Sequence, residues 1–263
     1  ILPPYYPSDN LLYTMNIAPK NAPVLPRMLW LDNARTTALF GMIVFHFFHD
    51  LEIFGILPRG TTVTGGWSVF SSLVAGSFLG ISGVSFWLAH CRGIRWSGFL
   101  RRFVILSGAA GLVSLATYLV FPDNFIRFGI LHCIAMSSLF GLMVLRLPAT
   151  IVLSIAVALF LIPDQLKSDI FNANMMLWLG LSTVTPPALD YIPVLPWTGF
   201  FLIGLAVAKM LPEDAWLRSD RYLSPLGKAS MYLAWPGKHS LSIYLLHQPV
   251  LLGLIWTVRT ITS

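Results

Sequence analysis

The sequence predicts an all-α integral membrane protein of about seven transmembrane helices, N-terminus cytoplasmic and C-terminus outside. Three observations carry this. Hydrophobic residues make up 56% of the 263 positions, charged residues only 11%, and the mean hydropathy is +0.73. A soluble domain carries roughly 25% charged residues, so this chain lacks the charge to cover a water-facing surface. Apolar runs recur at the length of about 17–25 residues that a bilayer core demands. The basic residues divide unevenly between alternate connections, thirteen on one side and four on the other, and basic residues collect on cytoplasmic loops. That asymmetry accounts for the formal charge of +6 and argues against nucleic acid as a partner. With two cysteines in different segments, neither a disulfide framework nor a Cys-x-x-Cys metal or redox pair is expected.

Taken in order, residues 1–28 form a proline-rich arm without a signal-peptide apolar region. It is expected to run extended over the surface or over a partner. Residues 29–263 read as one membrane domain. The expected spans are Thr36–Phe54, Trp67–Leu88, Phe103–Phe121, Phe128–Leu145, Ala149–Ile162, Leu195–Leu211 and Leu241–Val258. The fifth is short and ends at Pro163. Met175–Leu181 is apolar but too brief to cross, and reads as a re-entrant or interfacial turn. Gly76, Gly80 and Gly83 on the second span mark a close helix-packing face.

Titratable side chains at membrane depth are costly and tend to face a bundle interior or cavity. The first span is richest in them. Asp32 and Arg35 lie at its inner end; His46, His49 and Asp50 follow at i, i+3 and i+4, on one helical face. At about 1.5 Å rise per residue, Arg35 and His46 stand roughly 16 Å apart. An imidazole beside a carboxylate is the arrangement of a general base. The plain alternative is that a histidine near a helix end only bonds the interface and that Asp50 caps a turn. Arg127 and His132 open the fourth span, Asp190 precedes the sixth, and His247 and Gln248 lie in the last. Four histidines and two acids from separate segments are expected to share one cavity, whereas each alone would only tie helices together. Arg92, Arg95, Arg101 and Arg102 read either as positive-inside charge or as a rim for a diphosphate, because guanidinium forks match phosphate oxygens. No metal motif is present.

The stretch from Leu31 to Leu51, with Asp32-x-x-Arg35 followed after ten residues by His46, resembles the first span of membrane acyltransferases. Phe128-Gly-Ile-Leu-His132, Asp190-Tyr-x-Pro-x-Leu-Pro-Trp197 and the stretch Gly237–Pro249, which carries His247 and Gln248, are similar to the bacterial heparan-α-glucosaminide N-acetyltransferase-like family. The likeness runs from about Leu29 to Leu254 and is most specific in the last motif. It implies transfer of an acyl group, acetyl in the first instance, from cytoplasmic acetyl-coenzyme A to an extracytoplasmic sugar, glycan or lipid head group. By the same likeness Arg35 and His46 are the motif residues, with His46 as base or acyl acceptor, His49 and Asp50 assisting, and Arg127, His132 or Gln248 at the oxyanion. The bacterial cytoplasmic (inner) membrane is the implied location. Two positions differ from the pattern: Thr36 stands where a small residue is usual, and residues 57–67 contain no histidine where the animal lysosomal enzymes place theirs. The second difference motivates the alternative of a non-catalytic accessory subunit docked to a larger membrane complex through the arm. A b-type haem protein is disfavoured because no span pairs histidines at the spacing of a dihaem bundle. A transporter is disfavoured because no internal repeat appears.

Overall fold

A computed structural model of the chain describes residues 27–212, 215–216 and 228–262. Of the expected arm only Arg27 and Met28 fall among these; the rest of it, with Lys20, Arg218 and Arg221 of the inner basic set, lies outside the described residues.

Each of the seven long apolar runs folds into a helix, since in lipid each backbone N–H and C=O has to be satisfied within its own segment. The principal helices are α1 (Leu29–Ile53), α2 (Gly65–His90), α3 (Trp96–Val120), α4 (Ile130–Val144), α5 (Ala149–Leu161), α6 (Val194–Met210), α7 (Lys228–Lys238) and α8 (Ser240–Thr262). All seven expected spans coincide with one of them. By length and apolarity, α2, α3 and the Ser240–Ile261 portion of α8 suffice to cross a membrane, while α4, α5 and α6 are shorter apolar helices. Helix α7 was not expected: it carries Pro236 and Gly237 near its end and reads as a loop. Proline at 163 ends α5, as anticipated, and Met175–Leu181 forms only a short 3-10 turn at Leu177–Leu179 with Met175 exposed. Among the described residues there is no strand, only a single bridge between Phe128 and Tyr191.

The core lies between α2 and α6, with α4 and α5 against α6. Phe86, Phe201, Leu79, Leu202 and Leu205 are among its fully buried side chains. The glycine face of α2 makes this contact possible. A Cβ on Gly83 would run into the Phe201 carbonyl and one on Gly204 into the Gly80 carbonyl, so the two backbones approach within the space a side chain needs. A second group, α1 with α7 and α8, closes the other side of α2. Thr36 explains its own departure from the family pattern here: its hydroxyl donates to the Leu233 carbonyl (2.7 Å) and accepts the Gly237 N–H (2.9 Å), fastening α7 to α1.

Candidate active site

At the inner end of α1, Asp32 is fully buried and binds two arginines: Arg27 Nε at 2.7 Å and Arg35 at 2.7 Å. Arg35 also donates to the Ser85 hydroxyl of α2 (2.6 Å). One carboxylate thus orients two guanidinium groups toward a cavity of about 770 Å³. Arg27, Arg35, Arg101, Arg102 and Lys238 line this vestibule, and no carboxylate appears among its described lining residues. Its deeper wall is apolar, formed by Phe78, Leu106, Ile130 and Ile134, and it ends against Tyr244 of α8. Of the four arginines expected at a phosphate rim, Arg101 and Arg102 line the vestibule. Arg95 belongs with His90 and Arg102 to a smaller adjoining pocket, and Arg92 lines neither.

Two chambers lie beyond it. The first, about 300 Å³, shares Phe78, Ile130 and Tyr244 with the vestibule and adds Ser71, Ser72 and Tyr191. The second, about 260 Å³, lies between α3 and α8. They meet at His46, His49, Asp190 and Tyr244, and His247 and Gln248 belong to the second alone.

His49 is held by a relay that the sequence did not disclose. The Glu52 carboxylate accepts the Gly60 N–H (2.5 Å), the Thr62 N–H (2.9 Å) and the Thr62 hydroxyl (2.7 Å). Three donors around one carboxylate mark it as an acceptor only. The single Thr62 proton therefore goes to Glu52, and the Thr62 oxygen, 2.7 Å from His49 Nδ1, accepts the imidazole N–H. This assigns the proton of neutral His49 to Nδ1 and leaves a lone pair on Nε2, as a general base requires. The loop that lacks a histidine thus supplies the hydroxyl that orients one. His247 is fixed likewise: its Nδ1 faces the Tyr244 carbonyl at 2.5 Å, and its buried Nε2 has no partner among the described residues. The His46 ring lies 5.0 Å from the His247 ring, centroid to centroid, and makes no side-chain hydrogen bond among the described residues.

Asp190 enters the bundle from the connection between α5 and α6. Its carboxylate accepts the Ile130 N–H (3.0 Å), the first residue of α4, where the helix dipole favours an anion. Glycine at 129 leaves room for this bond, since a Cβ there would push on the Asp190 carboxylate and the Ile126 side chain. Burial pushes the Asp190 carboxyl up to about 6, outweighing the pull of that N–H.

Several expected members stand elsewhere. Asp50 is fully buried and accepts the Gln248 amide at 2.7 Å, so it ties α1 to α8 instead of orienting a histidine. His132 accepts the Gly129 N–H (3.2 Å) at Nδ1 and faces the Ser114 hydroxyl (3.4 Å) at Nε2, and it lines no chamber; it secures the start of α4. Arg127 donates to the Pro187 carbonyl (3.0 Å) and covers the Phe125 ring, also outside the chambers. Three of the four histidines and one of the two acids therefore converge. Glu52, Thr62 and Tyr244 were missed. Only Tyr244 left a trace in the sequence, lying one helical turn before His247 in the most specific motif. Among the described residues no group of three or more His, Cys, Asp or Glu is placed to hold a metal ion.

Apolar helices that enclose a basic vestibule and a histidine-lined chamber define an integral membrane protein with a buried polar site. The model of the heparan-alpha-glucosaminide N-acetyltransferase catalytic domain matches residues 27–249. The chain belongs to that family, a family of membrane acetyltransferases. No curated protein and no solved structure matches it.

Proposed function

We propose that this protein transfers an acetyl group from a coenzyme A thioester held in the basic vestibule to an amine or hydroxyl of an extracytoplasmic sugar, glycan or lipid head group in the histidine chambers. The single observation that carries this is the Glu52–Thr62–His49 relay, opening on a chamber that shares its wall with a vestibule lined by five basic side chains. The vestibule fits the donor's chemistry. Arg35, Arg101 and Arg102 would hold the phosphates, and the apolar wall from Leu106 to Ile134 would hold the uncharged arm. Their gathering at one end also supports seven crossings with that end in the cytoplasm, consistent with an inner-membrane location.

The base is His49 and not His46, because Thr62 places the His49 proton while His46 makes no side-chain hydrogen bond among the described residues. Its Nε2 takes the proton as the acceptor's nitrogen or oxygen attacks the thioester carbonyl. The Tyr244 hydroxyl, at the junction of all three cavities, takes the oxyanion role first given to Arg127, His132 or Gln248, whose donors are engaged elsewhere or lie away from the junction. When the carbonyl re-forms, the carbon–sulfur bond breaks and the thiolate receives the proton from His49. Glu52 and Thr62 stabilise the imidazolium in between, and His46, His247 and Asp190 line the acceptor's place. The loop without a histidine, one of the features behind the accessory-subunit alternative, contributes Thr62 in this fold.

The test is His49→Gln in detergent-solubilised protein with labelled acetyl-coenzyme A and amino-sugar acceptors. General-base loss lowers turnover by about 10²–10⁴-fold; undiminished transfer would reject the assignment.

A further inference from the structure

Resting on the acyl-transfer reading, we infer that the acceptor is an amphiphile whose hydrocarbon tail lies in the cleft between α3 and α8 while its amine or hydroxyl reaches His49. The lining of the second chamber has two chemically distinct parts. Val113, Ala116 and Val120 of α3 face Leu245, Pro249 and Leu252 of α8, and the hydroxyl of Thr117 on the same α3 wall is already engaged, donating to the Val113 carbonyl and accepting the Ile126 N–H. The rest of its lining carries His46, His49, His247, Gln248 and Asp190. A free sugar placed along the apolar wall would lose hydration and gain no hydrogen bond there, which disfavours it. A molecule with one apolar and one polar end matches both.

The position of the cleft says where such a molecule comes from. Both walls belong to helices long and apolar enough to cross a bilayer. They meet in one small cluster around Ala110, Leu241 and Tyr244, and beyond it the chamber separates them. Leu119, Val120 and Val250 at its margin are exposed by 73%, 66% and 61%. In a bilayer these side chains touch lipid tails, so a chain passes from the membrane into the cleft without crossing a polar barrier. The first chamber, with Ser71, Ser72 and Tyr191, receives the head group.

The experiment uses the full chain in lipid nanodiscs. An amino sugar bearing one alkyl tail with a terminal diazirine is irradiated in place and the adducts are mapped by mass spectrometry. Adducts are expected on 113–120 and 245–252, suppressed by the same amphiphile without diazirine and by Ala116→Trp, but not by free glucosamine. In the acetylation assay the tailed acceptor should exceed glucosamine in kcat/KM by about tenfold or more, since each buried methylene is worth about fourfold. Adducts elsewhere or none, or equal use of tailed and tailless acceptors, would overturn the inference. So would a diazirine phosphatidylcholine that labels the cleft and resists competition, because the cleft would then hold a resident lipid. Cleft adducts with no acetyl transfer to any acceptor would support the tail site and reject acyl transfer, so the two failures are distinguishable.

Discussion

Replacing Thr62 by valine keeps the branched shape of the side chain and removes one oxygen. That oxygen makes two bonds of 2.7 Å, donating to Glu52 and accepting from His49. In the variant the Glu52 carboxylate still accepts the Gly60 and Thr62 N–H groups, so the loop keeps its anchor. What disappears is the group that fixes the His49 proton on Nδ1 and steadies the imidazolium. Hydrogen bonds to charged groups contribute about 1.5–3 kcal/mol, and at 1.36 kcal/mol per factor of ten kcat should fall about 10- to 150-fold. KM for acetyl-coenzyme A should stay constant, because Thr62 is remote from the vestibule. Thr62→Ser, which restores the oxygen, should recover most of the rate, and the melting temperatures of the two variants should lie close together. The assay is initial-rate transfer of labelled acetyl across a range of donor concentrations. Unchanged kcat in Thr62→Val, or an equal loss in Thr62→Ser, would refute the relay.

Further outcomes follow from the other parts of the site and fold. Arg101→Ala combined with Arg102→Ala should raise KM for acetyl-coenzyme A about tenfold or more, since a charge-assisted phosphate contact is worth about 1.5–3 kcal/mol; kcat should change little, and initial rates decide it. Asp190 is neutral below about pH 6 and an anion above it. The anion favours the imidazolium that forms on His49, so kcat/KM should rise through that region, whereas Asp190→Asn should stay at the acid-side level throughout a pH–rate profile. Gly83→Ala would ordinarily stabilise a helix by about 0.5–1 kcal/mol. Here the Phe201 carbonyl occupies the space of the methyl group, and overpacking of about 1–3 kcal/mol should instead lower the melting temperature by about 2–4 °C per kcal/mol.

The helices were legible because hydropathy is a local property, readable from one run at a time. Helix α7 was not, because it is short and carries a proline, and its hold on α1 passes through Thr36, some two hundred positions away. The basic vestibule was half legible. Clustered arginines marked it, but which of them face inward is set by packing: Arg101 and Arg102 line it and Arg92 does not. Polar residues at depth were correctly singled out as a class, whereas their individual roles depended on partners that no spacing reveals. His132 and His49 look alike in the chain. One is engaged by a helix start and the other by a loop threonine. Glu52 and Thr62 carry no signature, since glutamate near a helix end followed by a turn is commonplace.

The interlock of Gly80 and Gly83 with Gly204 and Phe201 has a mechanical consequence. Two helices meshed backbone to backbone cannot slide or tilt without breaking contact along their whole seam, so α2 and α6 act as a fixed post. Helix α3 packs chiefly against α4 and meets α8 in one small patch. Any breathing that admits a guest from the surrounding hydrocarbon falls to α3, the outer leaf of the cleft, while α8 is tied to α1 by the Gln248–Asp50 bond and α1 stays clamped to the post.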